Sequence, residues 1–288
     1  MNIDYKVLSK VFNSNVLAKI AINDFCFLKN ISQQYSDLLL PNTLTGIYEK
    51  IYEILLDKYR NEYIFKNLIF EKLLLEKHTL DTATMLSEFR VGTNKADCVI
   101  LNGKSVCYEV KTDFDTLIRL PEQLNSYSQV FDEVYVVSTL KHLKNVERIC
   151  PDNIGIMILD EHLNFEFVKD AIQRKTQINL KLYMQSLRRE EYLSIAEYLV
   201  EDKLIAPNTQ IYDKCLNIIE EAVSKNIDIN KIIIETLKKY RRNDESFMTG
   251  IPSYLWNASV SYKFSKPQVE NLIHNFTNGE MINVLSDF

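Results

Sequence analysis

The spacing of apolar positions changes from a period of 3.6 to a period of 2 near residue 85, and back again after about residue 165. Before the first change, Ile47, Ile51, Ile54 and Leu55 recur at helical spacing, with Thr43 or Thr45 available as an N-cap. The run "NEYIFKNLIFEKLLLEKH", residues 61–78, is apolar over most of its circumference, which predicts a helix covered on several sides, beside a sheet. Then "MLSEFRV", "ADCVIL", "SVCYEVK", "EVYVVST" and "IGIMILD" read as five strands, with one good helix candidate among them at 117–130, between the third and the fourth. Later helices are expected at 180–200, 209–225 and 229–242, and over "SKPQVENLIHNF", where Ser265 and Gln268 have capping-box spacing. The expected fold is α/β: a mixed five-stranded sheet flanked by helices. The expected divisions are an N-terminal helical region at 1–60, a core at 61–168 and a C-terminal helical domain at 169–288.

Within the strands, "ADCVILNGKSVCYEVKT", residues 96–112, turns at Asn102-Gly103 and returns with Glu109 and Lys111 one residue apart. A two-residue turn would put Asp97 on the face of Val106, Tyr108 and Val110, with Glu109 pointing away. A three-residue loop of Leu101, Asn102 and Gly103, with Gly103 left-handed, instead puts Asp97, Cys107, Glu109 and Lys111 together. The opposite face is then Cys98, Ile100, Val106, Tyr108 and Val110, all suited to a core. Only this register sorts the pattern.

Composition narrows the chemistry. The 288 residues are 46% hydrophobic and 25% charged, without an uninterrupted apolar stretch of membrane-helix length. The start, "MNIDYKVLSK", lacks a basic region followed by an apolar one, so a cytoplasmic protein is expected. Cys26, Cys98, Cys107, Cys150 and Cys215 show no C-x-x-C spacing, which argues against zinc, iron–sulfur or a disulfide framework. The four histidines form no H-x-x-x-H pair and there is no G-x-S-x-G elbow, so zinc hydrolysis and serine chemistry have no support. "NGKS" mimics the end of a phosphate-binding loop, but Cys98 stands where that motif needs Gly. A net charge of −5 means that contact with nucleic acid must come from a local basic surface.

Two carboxylates on adjacent strands, with a lysine one pleat further, can bind a hard cation and stabilise charge on phosphorus. Glu109-Val110-Lys111 alone says little, because Glu and Lys alternate on the wet side of many strands. The wider pattern is more specific: Asp97 with eleven residues between it and Glu109, Glu88 on the preceding strand, and Gln123 with Tyr127 on the following helix. Together with the order helix, three-strand meander, helix, two strands, it resembles the PD-(D/E)XK nuclease superfamily over residues 60–160. Gln123 and Tyr127 resemble the Q-x-x-x-Y element of its RecB-like members. One departure is Ala96, where many members have Pro.

The resemblance implies a restriction-endonuclease-like core and a Mg²⁺-dependent nuclease, with Mn²⁺ able to substitute. Asp97, Glu109, the Val110 carbonyl and Glu88 would be the metal ligands and Lys111 the water-orienting or charge-stabilising group, with Gln123 and Tyr127 beside them. It further implies a nucleic-acid substrate, DNA ahead of RNA, and suits a bacterial defence or mobile-element setting. The rival reading is a nuclease-fold binding or regulatory module that no longer turns over, and a homodimer or a protein partner is left open. Several residues keep a plainer reading. Glu88 is either a ligand or the salt-bridge partner of Arg90, and Gln123 and Tyr127 are either site residues or ordinary helix residues. Glu62 and Glu71 supply a further carboxylate or simply a solvated helix face. Lys238, Lys239, Arg241 and Arg242 in "LKKYRR" contact nucleic acid or complement a helix dipole.

Overall fold

Alternating side chains build the middle of the chain into one sheet. The computed structural model describes residues 3–285. Its strands are β1 (Thr84–Val91), β2 (Asn94–Asn102), β3 (Lys104–Val110), β4 (Glu133–Ser138), β5 (Gly155–Leu159) and β6 (Phe165–Lys169), hydrogen-bonded in that order. β1, β2 and β3 form an antiparallel meander, β3, β4 and β5 run parallel, and β6 returns antiparallel to β5. Parallel neighbours require crossovers, and the helices Leu120–Ser128 and Leu143–Ile149 provide them.

Two of these elements correct the expectation from sequence. The sheet has six strands, not five. β6 sits at the sheet edge with Glu166, Phe167 and Val168 exposed, so no buried apolar run announces it, and it falls where the period was read as turning helical. The turn before it recruits it: Asp160 Oδ1 accepts from the Asn164 N–H at 2.7 Å and Leu163 takes a φ of 64°. The 143–149 helix is a single short crossover in which only Val146 is fully buried, too little periodicity to detect. The run expected at 180–200 is divided into helices Leu180–Met184 and Arg189–Val200.

The chain forms two compact units, His78–Arg242 and a second made from Met1–Lys77 with Asn243–Phe288. These differ from the three-part division read from the sequence. The helices Arg189–Val200, Ile211–Ser224 and Ile229–Tyr240 bury Ile195, Ile219 and Ile233 in the same core as Val99, Leu101, Cys107, Val136 and Ile156 of the sheet. Amphipathic helices need an apolar surface to cover, and this sheet face supplies it. Elsewhere in the sheet, Tyr135 pairs with Gly155, and a Cβ at Gly155 would come within 2.3 Å of the Tyr135 ring.

In the other unit, Thr43 caps the helix Leu44–Lys58 by accepting from the Gly46 N–H at 3.2 Å. Asn61 caps Glu62–Ile69, which continues as a π-helical turn over Phe70–Leu75. Tyr63 to Ile69 are all buried, as the all-round apolar pattern requires, and the buried Lys66 reaches Glu62 at 2.5 Å. Asn67 ties this helix to the C-terminal segment: its amide donates to Tyr52 Oη and the Ser253 carbonyl, and its oxygen accepts from the Asn257 N–H. The capping box of Ser265 and Gln268 is present at the start of Lys266–Thr277.

Candidate functional site

The site begins with two hairpins, and the second is tighter than its sequence suggested. Gly103, at a φ of 68°, forms the β2–β3 reversal, with Asn102 paired to Lys104. The three-residue loop is therefore corrected to a register two residues away, which leaves every side chain on its expected face. Asp97, Cys107, Glu109 and Lys111 share that face, and one step beyond the Cys98–Tyr108 pair Asp97 comes opposite Glu109. The β1–β2 turn lies at Gly92-Thr93, where Gly92 supplies the positive φ. Between the pairs Ser87–Cys98 and Phe89–Ala96, Glu88 then lies across from Asp97.

Three carboxylates thus stand in a row over β1, β2 and β3. The backbone pairing of β2 with β3 ends at Cys98–Tyr108, and beyond it Asp97 Oδ2 accepts from the Val110 N–H at 2.8 Å. Carboxylate oxygens of Glu88 and Asp97 lie within 4.8 Å of each other. Glu88 Oε2 forms an ion pair with Lys95 Nζ of the neighbouring strand at 3.4 Å. Glu88 also has a φ of 54°, a left-handed backbone that costs a non-glycine residue on the order of 1 kcal/mol or more.

Glu109 is only 1% exposed. Its Oε1 receives Lys111 Nζ at 2.6 Å, while Oε2 has no hydrogen-bond partner among the described residues. Burial pushes its carboxyl above the ordinary value, and the charge and hydrogen bond of Lys111 oppose that rise, with lesser help from Tyr127 and Gln123. The Cys107 thiol is pushed well up by burial and then by Glu109 and Asp97, as expected of a group facing both carboxylates. Lys111 is held by its own N–H to the Val137 carbonyl at 2.9 Å and by Ser138 Oγ donating to its carbonyl at 2.8 Å.

Gln123 and Tyr127 are both buried on the 120–128 helix. Asn94 anchors that helix, its amide donating to Glu122 Oε1 at 3.3 Å and Ser126 Oγ at 3.0 Å. Tyr127 is shifted far upward, by burial first and then by the Glu109 charge. Its hydroxyl and Gln123 Oε1 have no hydrogen-bond partner among the described residues. All of these donors are oxygens, one of them a buried carboxylate oxygen without a partner, and that chemistry suits a hard divalent cation such as Mg²⁺. Sequence reasoning did not single out Ser138 or the Thr112–Asp115 turn that follows Lys111. The signal was there in "KTDFD", since Thr and Asp at this spacing commonly close a turn onto their own backbone.

The basic helix end is less open than its sequence implied. Arg241 forms a two-pronged pair with Glu191, Nε to Oε1 and Nη2 to Oε2 both at 2.6 Å, and lies 5.0 Å from the centroid of the Phe89 ring. Glu191 is fully buried. Lys238 pairs with Glu235 at 3.1 Å and Arg242 with Asp81 at 2.5 Å, while Lys239 lies over the Tyr240 ring. Lys239 and Arg242 are exposed.

Fold and site together define a mixed α/β protein with a carboxylate and lysine cluster near the carboxyl end of β3, where it runs parallel to β4. The chain belongs to the family described as bacteriophage P4 protein cII, which matches residues 56–259 and so spans the whole cluster. Protein cII of Enterobacteria phage P4 is 26% identical over 183 residues, 61% of this chain and 67% of that protein. A solved structure, the SPO1766 protein of unknown function from Silicibacter pomeroyi, is 17% identical and covers 40% of this chain and 81% of its own. Its TM-score of 0.28 is too low to bear on the fold. Among the described residues no helix is long and apolar enough to cross a membrane.

Proposed function

We propose that this chain is a metal-dependent nuclease that hydrolyses phosphodiester bonds, in DNA ahead of RNA, on a restriction-endonuclease-like core. The observation that carries the reading is the buried Glu109, paired to Lys111 at 2.6 Å through one oxygen, with the other lacking a hydrogen-bond partner among the described residues. Asp97 lies opposite it, and Glu88 stands within reach of Asp97. Asp97, Glu109, the Val110 carbonyl and Glu88 would hold Mg²⁺, or Mn²⁺ in its place, whose chemistry is to offset phosphate charge and acidify a water. Lys111 orients the attacking water or donates to a phosphate oxygen, and Glu109 keeps its ammonium aimed. Gln123 and Tyr127 line Glu109 and exclude bulk water. Lys239 and Arg242 are the basic residues suited to hold a nucleic-acid backbone, since the Arg241 guanidinium already serves Glu191. The phage source of one relative supports a mobile-element setting.

The test is incubation of the wild type, Asp97→Asn, Glu109→Gln and Lys111→Ala with labelled single-stranded DNA, duplex DNA and RNA, in Mg²⁺, Mn²⁺ or EDTA. Cleavage should require the metal and be lost in all three variants while their circular dichroism is unchanged. Full activity in the variants would assign the cleavage to another site or a contaminant. Binding without cleavage by the wild type would leave the inactive binding module as the better reading.

A further inference from the structure

Arg90 and Lys95 face each other in the β1–β2 ladder, and both are exposed. Alternation puts them there: Phe89 and Val91 on β1 and Ala96 on β2 are buried in the core, so the residues between and beside them turn to water. Like charges directly opposite on adjacent strands are destabilising, so stability gives no reason for this pair. The acidic groups around the hairpin do not supply one, because each has a partner other than Arg90. Glu88 is paired with Lys95 at 3.4 Å, and Asp97 accepts from the Val110 N–H at 2.8 Å. Glu122 accepts from Asn94 at 3.3 Å and from Thr93 at 3.5 Å. Arg90 itself forms no hydrogen bond or ion pair among the described residues. Its distance from the carboxylate row is set by the strands. Glu88 across from Asp97 and Arg90 across from Lys95 are successive pairs on one side of the ladder, as the reach of Lys95 to Glu88 shows. Two residues of strand span about 6.8 Å, close to the separation of successive phosphates along one nucleic-acid strand.

We propose that Arg90 binds the phosphate next to the one at the carboxylate row, so that the substrate strand crosses the β1–β2 hairpin with neighbouring phosphates at the two positions; the assignment rests on the nuclease reading of that row. A guanidinium presents a planar fork that matches two phosphate oxygens, and one without an ion pair has none to give up on binding. The root of the fork is fixed: the neighbouring Phe89 is 2% exposed and packs edge-on against the rings of Phe131 and Tyr183. A phosphodiester strand carries a charge at every such step, which favours it over a single acidic side chain as the occupant. The opposed Lys95, held by Glu88, adds positive potential without competing for the fork.

The experiment measures binding of the full-length chain to a fluorescein-labelled single-stranded DNA oligonucleotide by anisotropy, in EDTA and over a range of salt, so that cleavage does not enter. Arg90→Gln should weaken binding about fivefold to tenfold and reduce the salt slope by about 0.7, the share of one phosphate contact on a single strand. Arg90→Lys should keep the slope and lose part of the affinity, because the charge stays and the fork goes. Lys203→Gln, which removes an exposed cation of the 201–210 segment, should change neither. Arg90→Gln should also melt at the wild-type temperature or slightly above it, since a like-charge pair is relieved. No binding by the wild type, unchanged affinity and slope in Arg90→Gln, an equal loss in Lys203→Gln, or a lowered melting temperature in Arg90→Gln would overturn the assignment. Displacement of the probe by an oligoglutamate of equal charge as readily as by unlabelled DNA would also overturn it, and mark Arg90 as a contact for an acidic protein segment. The two readings fail separately: weakened binding in Arg90→Gln without Mg²⁺-dependent cleavage by the wild type sinks the nuclease reading, and cleavage by the wild type with unchanged binding in Arg90→Gln sinks the phosphate contact.

Discussion

At Glu88 a side chain with candidate chemistry sits on a backbone that favours glycine. Its φ of 54° interrupts the β1–β2 pairing between Ser87 and Phe89, where it stands across from Asp97. Glu88→Gly should therefore leave the unfolding free energy unchanged or raise it by about 1 kcal/mol, whereas Phe89→Gly should lower it by several. Urea denaturation checks both. The Glu109–Lys111 pair allows a pH test. Glu109 is raised by burial and drawn back by Lys111, so Lys111→Met should raise its carboxyl further. A carboxyl raised in the folded state stabilises below its ordinary value, and that contribution is lost as pH rises through the raised value. Lys111→Met should thus cost about 1 kcal/mol at acid pH and about 3 kcal/mol above neutrality, as a buried charge is left alone. A loss that is the same at every pH would show that Glu109 is not the group affected. The Glu109 and Lys111 pattern was readable in the sequence, but the burial that gives it electrostatic consequence was not.

Between elements, Glu191 of the helix 189–200 and Arg241 at the end of the helix 229–240 form a two-pronged ion pair. Removing one partner of a buried pair strands the other, so Arg241→Ala should cost about 3–5 kcal/mol, while Arg242→Ala, an exposed pair with Asp81, should cost under about 1 kcal/mol. The sequence shows four similar cations in "LKKYRR". Which of them turns inward depends on where a buried carboxylate lies, fifty positions earlier, and no local pattern carries that information. Gly155 is a second case. A methyl group there meets the Tyr135 ring at 2.3 Å, so Gly155→Ala should destabilise the parallel strands by about 1–3 kcal/mol in the same denaturation assay.

For the molecule as a whole, both chain ends build one unit. Besides the links of Asn67, Asn271 donates to the Ala21 carbonyl at 2.9 Å, Asn275 to that of Ile20 at 2.7 Å, and Tyr63 Oη to that of Tyr254 at 2.8 Å. A chain ending at Arg242 would leave such buried groups without partners, at roughly 1–3 kcal/mol each. Hydrogen exchange on that truncation should show residues 3–77 losing protection. Retained protection would mean that the N-terminal helices are stable without the C-terminal segment.

The sequence by itself determined what depends on neighbours a few positions apart: five of the six strands, most of the long helices, the Thr43 and Ser265 caps, and the face shared by Asp97, Glu109 and Lys111. Side-chain alternation and cap chemistry act over single turns, and a hairpin's faces survive a shift of two residues. The tertiary structure decided what depends on distant partners: that β6 pairs at the edge, that the helices from 189 to 240 cover the sheet rather than forming a domain of their own, and that Arg241 turns inward to the buried Glu191. It also decided that Glu109 is buried. Burial is a property of everything that packs around a residue, and for these positions the packing comes from parts of the chain tens to hundreds of residues away.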